Sequence, residues 1–174
     1  ATSAARVCST SADIGSLYDM FSRSGLEYGP MFRLLRSASF SDSTCICILS
    51  VPDKSLQQSH LLPPNLIDVV LQSSAVALGL DGTKEAGTAQ VPYAFYQIWL
   101  RPSSIESLWQ HDTCRCHVTI RRSERKMSVF DCSLLTADGC VVMHMKGVYV
   151  RSIESNALDT KTDPIGGTES LQYE

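Results

Sequence analysis

The stretch Pro63-Pro64-Asn65-Leu66-Ile67-Asp68-Val69-Val70-Leu71-Gln72-Ser73-Ser74-Ala75-Val76-Ala77-Leu78-Gly79 decides the architecture. Its two prolines stand where a helix has backbone N–H groups without partners, so the missing donors cost nothing. Leu66, Ile67, Val70, Leu71, Ser74, Ala75 and Leu78 then supply a wide apolar surface at helical spacing, and Gly79 is a natural stop. A helix this apolar has to be wrapped by other elements. Its β-branched residues and serines make it an indifferent helix former alone, so tertiary burial is expected to hold it. One carboxylate interrupts the pattern. Asp68 sits beyond the first turn, and Gln72, four residues later, stacks on the same face.

An Asp near a helix start is commonly a cap or a complement to the helix dipole. Asp68 lies too far inside the start at Pro64 for capping to be natural. Its neighbours Ile67, Val69 and Val70 predict partial burial, which would raise its pKa and keep a proton available near neutral pH. A glutamine on a helix is ordinarily solvated, so Gln72 alone signals little.

Upstream, Asp13 to Ser24 places Leu17, Met20 and Phe21 at helical spacing, with Gly25 as terminator. Gly25-Leu26-Glu27-Tyr28-Gly29-Pro30-Met31-Phe32 follows. Tyr28-Gly29-Pro30 reads as a turn in which Gly permits positive φ and Pro fixes the next residue. The plain alternative is that Tyr28 and Phe32 plug the edge of the core. Residues 38–51 alternate, with Cys45, Cys47, Leu49 and Val51 on one face and Thr44, Ile46 and Ile48 on the other, which predicts a strand covered on both sides.

Downstream of a loop at Asp81–Gly87, strands are predicted at 89–101, 113–121, 128–136 and 140–152, with a tight turn at Ala137-Asp138-Gly139. One long apolar helix against five or so antiparallel strands is an α+β layout, with a curved sheet around the helix. That is the hot-dog arrangement. Residues 13–153 form this domain, 1–12 read as a linker or mobile end, and 154–174 as a flexible tail.

Bulk properties bound the function. A net charge of -3 argues against a nucleic-acid binder. No apolar run reaches membrane-spanning length, and the N-terminus does not read as a signal peptide, so a cytoplasmic protein is expected. The seven cysteines are odd in number and fall mostly in strand patterns, which favours free buried thiols over disulfides. Cys45-x-Cys47 and Cys114-x-Cys116 place paired thiols on one strand face. That spacing suits core packing better than a zinc knuckle, and no metal site is expected.

The spaced Tyr-Gly-Pro-x-Phe and Asp-x-x-x-Gln elements resemble the second half of polyketide synthase dehydratase domains, which are built from two hot-dog folds. The resemblance covers about residues 14–153, and Val91-Pro92-Tyr93-Ala94-Phe95 resembles the strand after the family's long helix. It implies that Asp68 donates a proton to a departing β-hydroxyl. It also implies that Gln72 orients Asp68 and that Tyr28 lines the substrate tunnel with Gly29, Pro30, Phe32 and Pro92. The substrate would be an acyl chain on the phosphopantetheine of a carrier protein, with no bound cofactor. Pairing as a homodimer or with a second hot-dog unit is expected.

Two departures matter. Pro63-Pro64 stands where the family usually has His-Pro, and the family's base motif, a histidine followed by Gly and Pro, is absent. His60, His111, His117 and His144 lie outside that context. Three readings therefore stay open: a dehydratase whose base comes from another unit; a repurposed enzyme for cyclisation, isomerisation or pericyclic closure of a polyketide; and a non-catalytic half-domain.

Overall fold

The structure, a computed structural model, describes residue 8 and residues 10–55, 61–78, 88–124 and 127–154. The central helix α2 (Pro64–Ala77) carries ten buried residues. Leu66, Val69, Val70 and Val76 have no exposed surface. Each such burial is worth about 1.5–3 kcal/mol, against propensity losses of about 0.7 kcal/mol or less per residue, so packing and not local preference holds the helix. The expected stop at Gly79 lies outside the described residues.

The sheet has seven strands: β1 (Thr10–Ser11), β2 (Leu35–Phe40), β3 (Thr44–Ser50), β4 (Thr88–Leu100), β5 (Thr113–Ser123), β6 (Met127–Thr136) and β7 (Val141–Glu154). Their order is β1-β2-β3-β5-β6-β7-β4, antiparallel at every pairing. α2 lies across β2, β3, β5 and β6, so the sheet wraps it. Register shifts along β2–β3, β5–β6, β6–β7 and β4–β7 supply the curvature. This is a hot-dog fold. No helix among the described residues is long and apolar enough to cross a membrane.

Helix α1 (Ile14–Arg23) matches its expected position. The Asp13 carboxylate accepts from Gly15 N at 3.0 Å and Ser16 Oγ at 2.7 Å, which caps the start. At the end Gly25 has φ 83°, Gly25 N donates to Ser22 O, and Leu26 N donates to Phe21 O at 2.9 Å. This double closure is the glycine-terminated helix end foreseen from Gly25.

Several expectations need correcting. Residues 38–51 are two strands of a hairpin, because Ser41-Asp42-Ser43 turn the chain and Ser41 N donates to Thr44 O at 2.8 Å. Thr10 and Ser11, inside the segment read as a linker, pair with Phe40 and Ser39. A short helix α3 (Pro102–Leu108), not anticipated, starts on Pro102 and buries Ile105, Leu108 and the adjoining Trp109. The loop read at Asp81–Gly87 and the segment from 155 onward lie outside the described residues, and His60 does too.

The cysteines behave as small hydrophobes. Cys45, Cys47, Cys114, Cys116 and Cys132 are buried and free, and burial pushes Cys114 and Cys132 up to about 12. No metal-holding cluster of His, Cys, Asp or Glu occurs among the described residues.

On the outer side, Asp131 is buried within the sheet. It accepts from Gly147 N at 2.9 Å and from Arg121 Nε at 2.8 Å. Gly147 has φ 60°, and a Cβ there would lie 2.9 Å from Tyr96 Cβ. Gly147→Ala is therefore expected to cost about 1–3 kcal/mol through strain and overpacking. A urea melt with an unchanged midpoint would show that β4 and β7 do not approach this closely.

Candidate active site

Asp68 projects from the second turn of α2, one turn before Gln72. The Gln72 side chain is buried, at 3 % exposure, contrary to the usual solvated helix glutamine. Its Nε2 donates to Asp68 Oδ2 at 2.7 Å and to the Phe32 carbonyl at 3.1 Å. Its Oε1 accepts from the Tyr18 hydroxyl at 3.0 Å. Leaving any of these amide groups unpartnered in the interior would cost about 1–3 kcal/mol. The pairing therefore joins α1, α2 and the loop after Pro30 at one point.

That loop is a single 3-10 turn, Pro30–Phe32, with Pro30 at its first position. Gly29 preceding it has φ -70° and open space around its Cα, so the expected positive φ is not used there. The left-handed glycine of this region is Gly25. Asn65 Nδ2 donates to the Met31 carbonyl at 2.9 Å and pins the turn to the start of α2.

Beside Asp68 lies a cavity of about 50 Å³ lined by Met20, Phe21, Tyr28, Leu71, Gln90 and Pro92 among others. Tyr28 is half-buried, its ring edge-on to Phe21 at 5.2 Å and to Tyr18 at 6.2 Å. Burial, with the Asp68 charge second, pushes its hydroxyl far above the ordinary tyrosine range. Burial likewise raises the Asp68 carboxyl above its ordinary range, and the Gln72 hydrogen bond pulls part of the way back. The arrangement is a protonatable acid in a mostly apolar wall.

Of the residues singled out from sequence, Asp68, Gln72, Tyr28 and Pro92 come together at this cavity. Pro92 sits in β4, where an edge strand tolerates a missing N–H. Gly29, Pro30 and Phe32 lie outside the lining, exposed, and only the Phe32 carbonyl reaches the site. Tyr18, Asn65 and Gln90 were not foreseen. Tyr18 adjoins Leu17 and lies three residues before Phe21, so α1's own periodicity could have flagged it. No histidine of the described residues lines the cavity. His111 Nε2 is 3.0 Å from Asp138 Oδ2, and His144 Nδ1 is 2.7 Å from Ser133 Oγ under a stacked Trp99 ring. His117 is half-buried on β5.

A wrapped apolar helix bearing one half-buried acid and its buried amide defines a hot-dog domain with a candidate acid site. The family model described as polyketide synthase dehydratase N-terminal domain matches residues 1–160, and the chain belongs to the polyketide synthase dehydratase family. Compactin diketide synthase mlcB of Penicillium citrinum is 24% identical over 167 residues, covering 88% of this chain and 6% of that protein. Polyketide synthase PksM of Bacillus subtilis is 21% identical over 141 residues, covering 79% of this chain and 3% of that protein. The dehydratase domain from the CurJ module of curacin polyketide synthase has a TM-score of 0.73 at 22% identity, covering 88% of this chain and 52% of that one. The dehydratase domain of RzxB from Pseudomonas fluorescens has a TM-score of 0.68 at 22% identity, covering 81% of this chain and 49% of that one. The chain thus spans a few per cent of the curated synthases and about half of the solved dehydratase domains.

The raised Asp68 pKa has a thermodynamic consequence. The folded chain keeps a proton that the unfolded chain releases near its ordinary pKa of 3.8, so this group's contribution to stability declines as pH rises through that value toward the folded pKa. Asp68→Asn should remove the penalty while its amide oxygen still accepts from Gln72. Urea melts are expected to show the variant more stable than the parent at pH 8 and no more stable at pH 3. Identical pH dependence of the two proteins would refute the assignment.

Proposed function

We propose that this chain is the acid-bearing second hot dog of a polyketide dehydratase, removing water from a 3-hydroxyacyl thioester carried on phosphopantetheine. The observation that carries it is the half-buried Asp68, held by buried Gln72 at the wall of a cavity with Tyr28 and Pro92. The matching family model is described as an N-terminal domain; the second-half reading is supported instead by the resemblance carried by the Asp68–Gln72 helix and the Tyr28-Gly29-Pro30 loop.

In this mechanism Asp68 gives its proton to the β-hydroxyl as the C–O bond breaks. A base on the opposite face takes the α-proton, the C=C bond forms, and water leaves. The base comes from a histidine of another hot-dog unit. The need for a partner agrees with the cavity, since 50 Å³ is far below the 300–1,000 Å³ typical of ligand sites. The carrier protein and its arm follow from the resemblance.

The partner surface we assign is the outer edge of β4, which among the described residues pairs only with β7. Tyr93, Phe95, Tyr96, Ile98, Trp99 and Leu100 are all exposed there, between 42% and 71%. Long apolar edges of this kind are pairing templates. Ile98 also faces an apolar groove with Leu61, Ile67, Met143 and Met145.

A second reading draws support from the lack of a histidine in the cavity among the described residues. One donor and shape selection can serve a cyclisation or isomerisation of a polyketide.

Mass spectrometry of a 3-hydroxyacyl-pantetheine thioester should show water loss when the chain is joined to a histidine-bearing dehydratase half. Asp68→Asn should slow it by about 10²- to 10⁴-fold. A variant as fast as the parent would end the acid assignment, whereas turnover of the isolated chain to an isomeric product would favour the second reading. For the surface, sedimentation velocity should show the isolated chain as a dimer and Ile98→Lys as a monomer. A monomeric parent at high micromolar concentration would overturn that interface.

A further inference from the structure

The Gln72 amide can be held only one way round. Its Nε2 faces the Phe32 carbonyl at 3.1 Å, an oxygen with no proton to give, so the NH₂ must lie on that side. Its Oε1 faces the Tyr18 hydroxyl at 3.0 Å. That hydroxyl accepts the Leu35 backbone N–H at 3.4 Å, and Leu35 can only donate. The Tyr18 proton is therefore free to go to Gln72 Oε1. A pure donor at one end and a pure acceptor at the other set the direction of every bond between them.

The remaining Nε2 proton points at Asp68 Oδ2 at 2.7 Å. Oδ2 is thereby occupied as an acceptor, and a carbonyl oxygen accepts that N–H better than the hydroxyl oxygen of a carboxylic acid does. When Asp68 is an acid, its proton belongs on Oδ1. Among the described residues no hydrogen bond engages Oδ1, and Asp68 borders the cavity.

We propose that Tyr18 is a positioning residue for this site: its hydroxyl locks the Gln72 amide in the orientation that occupies Asp68 Oδ2 and leaves Oδ1 to carry and deliver the proton. The proposal rests on reading Asp68 as the general acid, but its geometry lies entirely within this chain. The other titratable and charged groups around the chain of bonds are Tyr28, whose hydroxyl burial keeps protonated, Arg33, whose guanidinium sits 5.3 Å over the Tyr18 ring, and Cys47 on β3. Burial also keeps Tyr18 itself protonated, so it remains a donor throughout the range in which Asp68 titrates.

The test follows the Asp68 carboxyl carbon by NMR across pH in the parent, Tyr18→Phe, Gln72→Met and the double variant. Tyr18→Phe keeps the ring and its edge contacts with Phe21 and Tyr28. Freed from its lock, the amide should serve Oδ2 less well, and the Asp68 midpoint should move up. Gln72→Met should move it further, and the double variant should match Gln72→Met alone, because Tyr18 acts through the amide. An unmoved midpoint in Tyr18→Phe, with only a lower Tm, overturns the proposal by making the residue merely structural. A Tyr18→Phe shift that adds to that of Gln72→Met overturns it by showing direct action on Asp68. If Gln72→Met does not fold, the single Tyr18→Phe titration decides. No substrate is involved, so coupling without any water loss in the reconstituted enzyme would sink the dehydratase reading and leave the role of Tyr18 standing.

Discussion

The structure depends on one constraint: α2 has almost no polar side, and such a helix cannot stay at a surface. Its burial requires a sheet that curves around it, and the bulges along four strand pairs provide that curvature. The thiols of Cys45, Cys47, Cys114, Cys116 and Cys132 lie on the buried face of the sheet as compact filler, with Phe130, Leu134 and Val148 supplying bulk. β3 pairs antiparallel with β5 although α2, β4 and α3 lie between them in the chain, because that excursion wraps α2 into the core and carries β4 to the far edge of the sheet.

Against that background a buried glutamine is expensive unless fully satisfied, and Gln72 is satisfied by three separate parts of the chain. The consequence is precision. Asp68 is held by a donor that cannot rotate away without stranding the Phe32 carbonyl and the Tyr18 hydroxyl. Desolvation raises the carboxyl while the same donor moderates the rise. A carboxyl whose hold on its proton is raised by burial, and whose hydrogen-bonded oxygen is fixed through backbone groups, fits the proton delivery proposed above. The exposed β4 edge and the small cavity are both in keeping with the pairing proposed above.

Much of this was legible in the residues. The helix followed from Pro64 and the apolar run, the meander from the alternation around Cys114, Cys116 and Val118, and the terminator from Gly25. Asp68 with Gln72 stood out because four residues make one helical turn. The hairpin at Ser41-Asp42-Ser43 was missed because the clean alternation of Thr44–Ser50 was extended backwards over an arm, Leu35–Phe40, that does not alternate regularly. The short helix at Pro102 was missed because seven residues give too few repeats to show a period. Gly29 was assigned a special backbone that Gly25 uses instead.

The sequence by itself determined the local periods, the apolar helix with its one acid, and therefore the class of fold. It determined them because helices and strands impose spacings that need only near neighbours. Only the tertiary structure decided that Tyr18 meets Gln72 across 54 residues and that the Phe32 carbonyl meets it across 40. It also decided that the aromatic β4 edge is exposed among the described residues. Those contacts carry no periodic signature: they exist because wrapping one helix brings distant backbone and side-chain groups to the same buried amide, which must find partners wherever the fold places them.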